Sequence, residues 1–202
     1  MKDQKRQDRM RVIEQHAHTL FRDIGFEGTS MLAIAKRAKA SNETLYRWYG
    51  DKNGLFESMV RANADQVNHA LKAAQEAGNT SLQTLSSVAE VLLGMLLSDE
   101  AIVLNRAAAS DATGALGQIL GQAGRDAVLP HIERVLHQAV ANRELGQPVE
   151  GDIGSLFVRL LVGDQQIRRV IGTLNAPSSE EVRTQVARVV CQMRVLCPPR
   201  SS

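Results

Sequence analysis

GTSMLAIAKRAKASNETLYRWYGDKNGLF, residues Gly28 to Phe56, sets two short apolar stripes behind polar, cap-forming residues. Thr29 or Ser30 can accept a backbone N–H and open a first helix, in which Ile34, Ala35 and Ala38 share one stripe while Lys36, Arg37 and Lys39 point elsewhere. That helix ends near Ala38. Ser41 is a second cap, opening a helix from Asn42 to Trp48 that is only about 10 Å long at its seven residues. Leu45 is its buried anchor, which leaves Asn42, Glu43, Thr44, Tyr46 and Arg47 projecting outward, all of them hydrogen-bonding side chains. A helix of this size suits a DNA major groove about 12 Å wide. Asp51 caps the next helix and puts Lys52 at its N-terminus, where free N–H groups and the helix dipole favour an anion such as a DNA phosphate.

Working outward, Ile13, Ala17, Leu20, Phe21 and Ile24 form the apolar stripe of a helix from about Lys5 to Ile24, completing a three-helix unit. Six of the seven aromatic residues lie in this region. Phe21, Phe26, Tyr49 and Phe56 are expected in its core. Behind it, Asp51 to Ala77 reads as one helix with Phe56, Met59, Val60, Asn63, Val67, Ala70, Leu71 and Ala74 on one side, a rod of ~40 Å. Residues 1–54 carry a net charge of +4 and residues 55–202 a net charge of −2, so the basic half is the half with the short outward helix. Lys and Arg release counterions when they neutralise phosphates, so this asymmetry fits a two-part DNA-binding protein.

The pairs Gly25-Phe26, Thr29-Ser30 and Ile34-Ala35, the run Ser41 to Tyr46, and Tyr49 and Lys52 resemble, in type and spacing, the N-terminal pattern of the TetR family of bacterial repressors. The resemblance covers about the first 60 residues. It implies an all-α fold with a helix-turn-helix DNA-binding domain over residues 1–50 and a helical ligand-binding and dimerisation domain over 51–202, the helix 51–77 connecting them. Carried over position by position, it implies DNA contacts from Thr29, Ser41, Asn42, Glu43, Thr44, Tyr46, Arg47, Trp48 and Lys52, with Tyr46 and Trp48 offering their polar tips to phosphates. Two positions depart from the pattern. Lys39 stands where the family usually has Gly in the turn, and a left-handed backbone there costs a side chain roughly 1 kcal/mol. Gly50-Asp51 replaces the usual Pro-Ser, placing an acid close to where phosphates would lie. The implied function is a dimeric repressor released from its operator by a small molecule. The competing reading keeps the DNA reader but gives the C-terminal domain a protein partner, making an assembly protein anchored on DNA.

The rest reads as helix. Ser81 to Leu97 is rich in Leu and Val, Gly114, Gly117 and Gly121 interrupt the chain after a helix ending near Ala112, and a helix with Pro130 near its start or at a kink runs to about Asn142. Glu144 to Gly151 is a loop. Asp152 caps a predicted continuous helix in which Ile153, Phe157, Leu160, Asp164, Ile167, Ile171 and Leu174 alternate by four and three. Ser178 and Glu181 form a capping box before a last helix in which Val182, Val186, Val189, Met193 and Leu196 keep the same rhythm. The two seams can pack on each other within one chain. Apolar residues off the seams, including Leu156, Leu161, Val190 and Cys197, ask for a partner, and the family forms a twofold four-helix bundle from its last two long helices. The expected homodimer interface is Phe157, Leu160, Ile167, Ile171, Val182, Val186, Val189, Met193 and Leu196, with Asp164 fixing register, pairing with Arg168 or Arg169, or lying at a solvated edge.

For a ligand, the candidate lining is Val67, Leu71, Leu92, Leu96, Leu120, Leu129 and Leu136, with Asn105, Arg106 and His137 as polar partners. Each apolar member, by its pattern, is more often plain core than lining. From Glu57 onward the one aromatic is Phe157, so an aliphatic or small polar effector is expected over a flat aromatic one. The segment from Arg106 to Gly124 also resembles, faintly, one TetR subgroup through Arg106 and Asp111; it lacks that subgroup's aromatics. His16, His18, His69, His131 and His137 form no metal spacing, and neither a GxSxG nor a Walker loop occurs, so no enzyme, cofactor or metal is expected. The charged N-terminus lacks an apolar stretch behind it, and a run of eighteen apolar residues does not occur, which points to a cytoplasmic protein with no membrane span. Cys191 and Cys197, six apart on one predicted helix, read as reduced thiols.

Overall fold

The computed structural model describes residues 2–149 and 151–199, which among themselves form helices and no strand. The helices are α1 (Lys2–Ile24), α2 (Met31–Arg37), α3 (Asn42–Tyr49), α4 (Lys52–Glu76), α5 (Ser81–Leu96), α6 (Asp99–Ser110), α7 (Ala115–Ile119), α8 (Asp126–Ala141), α9 (Ile153–Val162), α10 (Gln165–Val170) and α11 (Ser179–Leu196). The break expected after a helix ending near Ala112 is present, since α6 stops at Ser110 and Gly114, at φ 74°, precedes α7; a wider π-turn, Leu120–Arg125, which holds Gly121, then leads into α8.

The chain divides into two compact units. The first comprises the residues up to Ala62 together with Val103–Ala123; the second comprises Asn63–Ile102 and the residues from Gly124 onward. A division at residue 50 had been expected. The first unit extends past it because Leu55, Phe56, Met59 and Val60 of α4, and Val103, Leu104 and Ala107 of α6, belong to the same apolar core as α1 to α3. In that core Phe26 packs at 5.1 Å from Phe21 and edge-on at 5.7 Å from Phe56, confirming the aromatic core read from the sequence. Ile24, counted on the α1 stripe, is instead exposed.

In the second unit α5 packs against α8 and α11, with α9 against α8 and α11. The N-terminus of α5 is closed twice. Thr80 and Gln83 form a capping box, and Glu144, from the loop after α8, accepts the N–H groups of Ser81 at 3.1 Å and Leu82 at 3.0 Å. The predicted continuous helix from 153 to 174 is broken. Gly163, at φ 52°, ends α9, and Gln165 turns its amide back to donate to the Leu161 and Val162 carbonyls.

That break changes the reading of the two seams. Phe157, Val182, Val186, Val189 and Met193 are buried within the second unit, packed with α5 and α8, and so are core within a single chain, not a surface left for a partner. Leu160 is half-buried. Ile167, Ile171 and Leu196 remain outside, at 57%, 63% and 46% exposure, joined by Val195 at 73%. Asp164 meets Arg168 across 3.9 Å on the surface. Arg169 is buried and goes elsewhere: its guanidinium donates to the Leu97 carbonyl at 3.0 Å, the Leu174 carbonyl at 3.2 Å and the Asp99 carboxylate.

Candidate nucleic-acid interface

Helix α3 is built as a presented element. Ser41 Oγ accepts the Thr44 N–H at 3.1 Å and shares a 2.7 Å hydrogen bond with the Thr44 hydroxyl, and Leu45 is fully buried beneath. Asn42, Glu43 and Arg47 are exposed, and Tyr46 is half-exposed at 50%. Four side chains with hydrogen-bonding capacity therefore stand outward from a helix of eight residues. The helix ends at Gly50, at φ 77°, and Asp51 opens α4 by accepting the Gly54 N–H at 2.8 Å.

Other expected contacts are placed differently. Thr29 is buried, its hydroxyl donating to the Gly25 carbonyl at 2.7 Å, and the cap of α2 is Ser30, which accepts from Ala33 N–H at 3.1 Å. Lys52 turns inward. Its ammonium donates to the Phe26 carbonyl at 2.7 Å and sits 4.3 Å from the centre of the Phe26 ring, so it clamps the α1–α2 loop to α4. Trp48 packs on the core of the first unit, with the Arg6 guanidinium 5.5 Å above its ring. These three side chains are thus engaged within the first unit itself.

The turn between α2 and α3 does adopt a left-handed residue at Lys39, at φ 51°. What sequence reasoning missed is the residue that faces it: Arg9 of α1 donates to the Ala38 carbonyl at 2.9 Å and the Lys39 carbonyl at 2.6 Å. Missed also was Glu14, which accepts from the Ser58 hydroxyl at 2.7 Å. Burial pushes the Glu14 carboxyl above its ordinary range, against the opposing pull of Ser58, Tyr49 and Arg11. Burial, reinforced by the Glu14 charge, pushes the Tyr49 hydroxyl upward too.

The residues expected to line a ligand cavity fall in both compact units. Val67, Leu71, Leu92 and Leu136 are core of the second unit, with Leu96 packed against that core and Leu129 half-buried. Asn105, Arg106 and Leu120 fold with the first unit, and His137 is exposed on α8. Asp111 accepts the N–H groups of Leu116 at 2.8 Å and Thr113 at 2.9 Å, at the start of α7. The second unit does carry an open groove of about 380 Å³ beneath the α10–α11 loop, lined by Leu93, Gln165, Thr173, Leu174, Glu181 and Val182. None of these belongs to the expected lining. Among the described residues, no helix is long and apolar enough to cross a membrane.

Residues 13–59 match the family described as bacterial regulatory proteins, tetR family, and residues 83–194 match the C-terminal domain of AefR-like transcriptional repressors. IcaR of Staphylococcus aureus, a negative transcriptional regulator of a biofilm operon, is 30% identical over 73 residues. That match spans 36% of this chain and 39% of IcaR. A TetR-family regulator from Mesorhizobium loti superposes with a TM-score of 0.72 at 25% identity, covering 94% of this chain and 96% of its own. The flavonoid-responsive regulator FrrA superposes with a TM-score of 0.66, also at 25% identity, over 96% of this chain and 99% of its own. The outward α3, the capped helices on either side of it and a C-terminal match covering more than half of the chain together make this protein a member of the TetR family of transcriptional regulators.

Proposed function

We propose that the chain is a cytoplasmic, dimeric repressor that lays α3 in the major groove of a pseudo-palindromic operator and leaves it when a small molecule binds the second unit. The observation that carries this reading is α3 itself, anchored by Leu45, capped by Ser41, and presenting Asn42, Glu43, Tyr46 and Arg47. Asn42, Glu43 and Arg47 read base edges; Tyr46 donates to phosphate, and Ser41 and Thr44 line the approach. Thr29, Trp48 and Lys52 act through the scaffold. Repression is supported by the C-terminal match to a repressor domain and by IcaR, a negative regulator. A twofold axis gives two α3 helices the spacing of half-sites one DNA turn apart.

FrrA is by name responsive to flavonoids. From Glu57 onward this chain has one aromatic residue, Phe157, and it is buried in the core. An aliphatic or small polar effector therefore suits this chain better than a flat polyphenol.

The test is selection of duplexes from a random library, followed by anisotropy titrations of the selected operator. Arg47→Ala is expected to cost about 1–3 kcal/mol at one base position and to relax preference there, while Tyr46→Phe weakens all duplexes alike. Unchanged preference in Asn42→Ala, Glu43→Ala and Arg47→Ala would refute the base-reading role. DNA affinity that no metabolite disturbs, together with a specific protein partner, would replace the repressor by the assembly protein.

A further inference from the structure

Helix α2 ends in a backbone conformation that its own sequence does not favour. Ala40 N–H reaches back to the Ala35 carbonyl at 2.9 Å and Lys39 N–H to the Lys36 carbonyl at 3.3 Å, a closure that requires a left-handed residue between them. That residue is Lys39, at φ 51°, where a side chain is strained and a glycine would not be. The closure also leaves the carbonyls of Ala38 and Lys39 outside any helical ladder. Both are taken by the same Nη2 nitrogen of Arg9, at 2.9 and 2.6 Å, from a helix 29 and 30 residues earlier in the chain. One charged nitrogen reaches two successive carbonyls only when the turn brings them together, so the guanidinium stabilises the left-handed state over its alternatives. Arg6, three residues before Arg9 on α1, lies over Trp48 near the other end of α3. The first turns of α1 thus hold α3 at its entrance and near its exit.

We propose that Arg9 is a positioning residue for DNA reading: by binding the Ala38 and Lys39 carbonyls it holds the α2–α3 turn in the conformation that glycine adopts unaided, and so fixes the angle at which α3 is presented. This rests on the reading that α3 enters the groove. It differs from a direct phosphate contact by Arg9, because a clamp matters only while the turn is strained.

A double-mutant cycle on the full-length chain separates the two. Anisotropy titrations with the library-selected duplex measure Arg9→Ala in the native background and again in the Lys39→Gly background. A clamp predicts a loss of about tenfold in the first and under about threefold in the second, with a salt slope that Arg9→Ala leaves unchanged. Equal losses in both backgrounds, with a slope lower by about one, would overturn the proposal in favour of a phosphate contact. Arg9→Gln keeps an amide donor without the charge; it should retain more affinity than Arg9→Ala, and equal affinities of the two count against the clamp. Amide exchange of the free protein supplies a readout independent of DNA: Arg9→Ala should speed exchange at Ala40, and Lys39→Gly should slow it again. Unaltered exchange at Ala40 refutes the clamp even if the wild type binds no duplex, an outcome that by itself would sink only the DNA-reading function.

Discussion

Glu14 is an acid that the first unit holds in a place poorly suited to its charge. Burial pushes its carboxyl up, while the Ser58 hydroxyl, Tyr49 and the Arg11 guanidinium draw it partway back. The folded state therefore binds this proton more tightly than the unfolded chain does. The resulting stability is complete below the ordinary carboxylate value of 4.5 and is lost as pH rises through the raised one. Glu14→Gln should accordingly melt at a higher temperature than the native chain near neutrality, with the gap closing as the pH falls toward 4.5. Thermal melts across that range check it, and coincident melting at neutral pH would mean that the carboxylate is well solvated. The capping acids run the other way. Backbone donation from Ser155 holds Asp152 low, and from Ser178 holds Glu181 low, so their contribution exists above the ordinary carboxylate range and disappears as pH falls through the lowered values. At this scale the sequence was legible where chemistry is local: Ser41, Leu45 and Asp51 do what their spacing implies. It was not legible for Arg9, Lys52 and Glu14, whose partners stand 29, 26 and 44 residues away, since nothing in periodicity says which carbonyl or hydroxyl a long side chain will find.

The corner between α3 and α4 shows what an element needs beyond its own propensity. A Cβ on Gly54 would overlap the carbonyl oxygen of Tyr49, the last residue of α3, and that oxygen is backbone with no freedom to swing aside. Gly54→Ala should thus force the two helices apart, with a loss of about 1–3 kcal/mol typical of overpacking despite alanine's better helix propensity. A chemical denaturation midpoint below that of the native chain, accompanied by weaker duplex binding, is the expected result; a more stable variant would mean that the corner relaxes freely. Gly163 is the matching lesson from the second unit. The four-three rhythm from Ile153 to Leu174 counts one position per turn and is blind to a single residue at φ 52°, so it reads straight through the end of α9. The Gly163-Asp164 pair, with the one polar member of the stripe beside the glycine, was the available signal. The rhythm did identify residues that pack together; what it could not tell was whether the surface they meet lies in the same chain or in another.

That ambiguity decides how a dimer should be sought in the molecule as a whole. The seam members Val186 and Met193 are buried at 2% and 0% exposure within one chain, so replacing both by Asp puts carboxylates into an apolar core, at a cost of several kcal/mol each that unfolds the second unit before it tests any interface. The residues that ask for cover from outside are Ile167 and Ile171, at 57% and 63% exposure, and, at the end of α11, Val195 and Leu196. Ile167→Asp combined with Ile171→Asp leaves the core of the second unit untouched and places two charges where a partner must dock. If the dimer is formed here, this variant sediments as a folded monomer with helical content close to native, and its operator affinity drops because two half-sites can no longer be engaged together. The Val186→Asp, Met193→Asp variant should instead lose its helical signal. A double Ile→Asp variant that still sediments as a dimer moves the interface off α10, and α9 and the outer face of α11 around Val190 become the surfaces to mutate next.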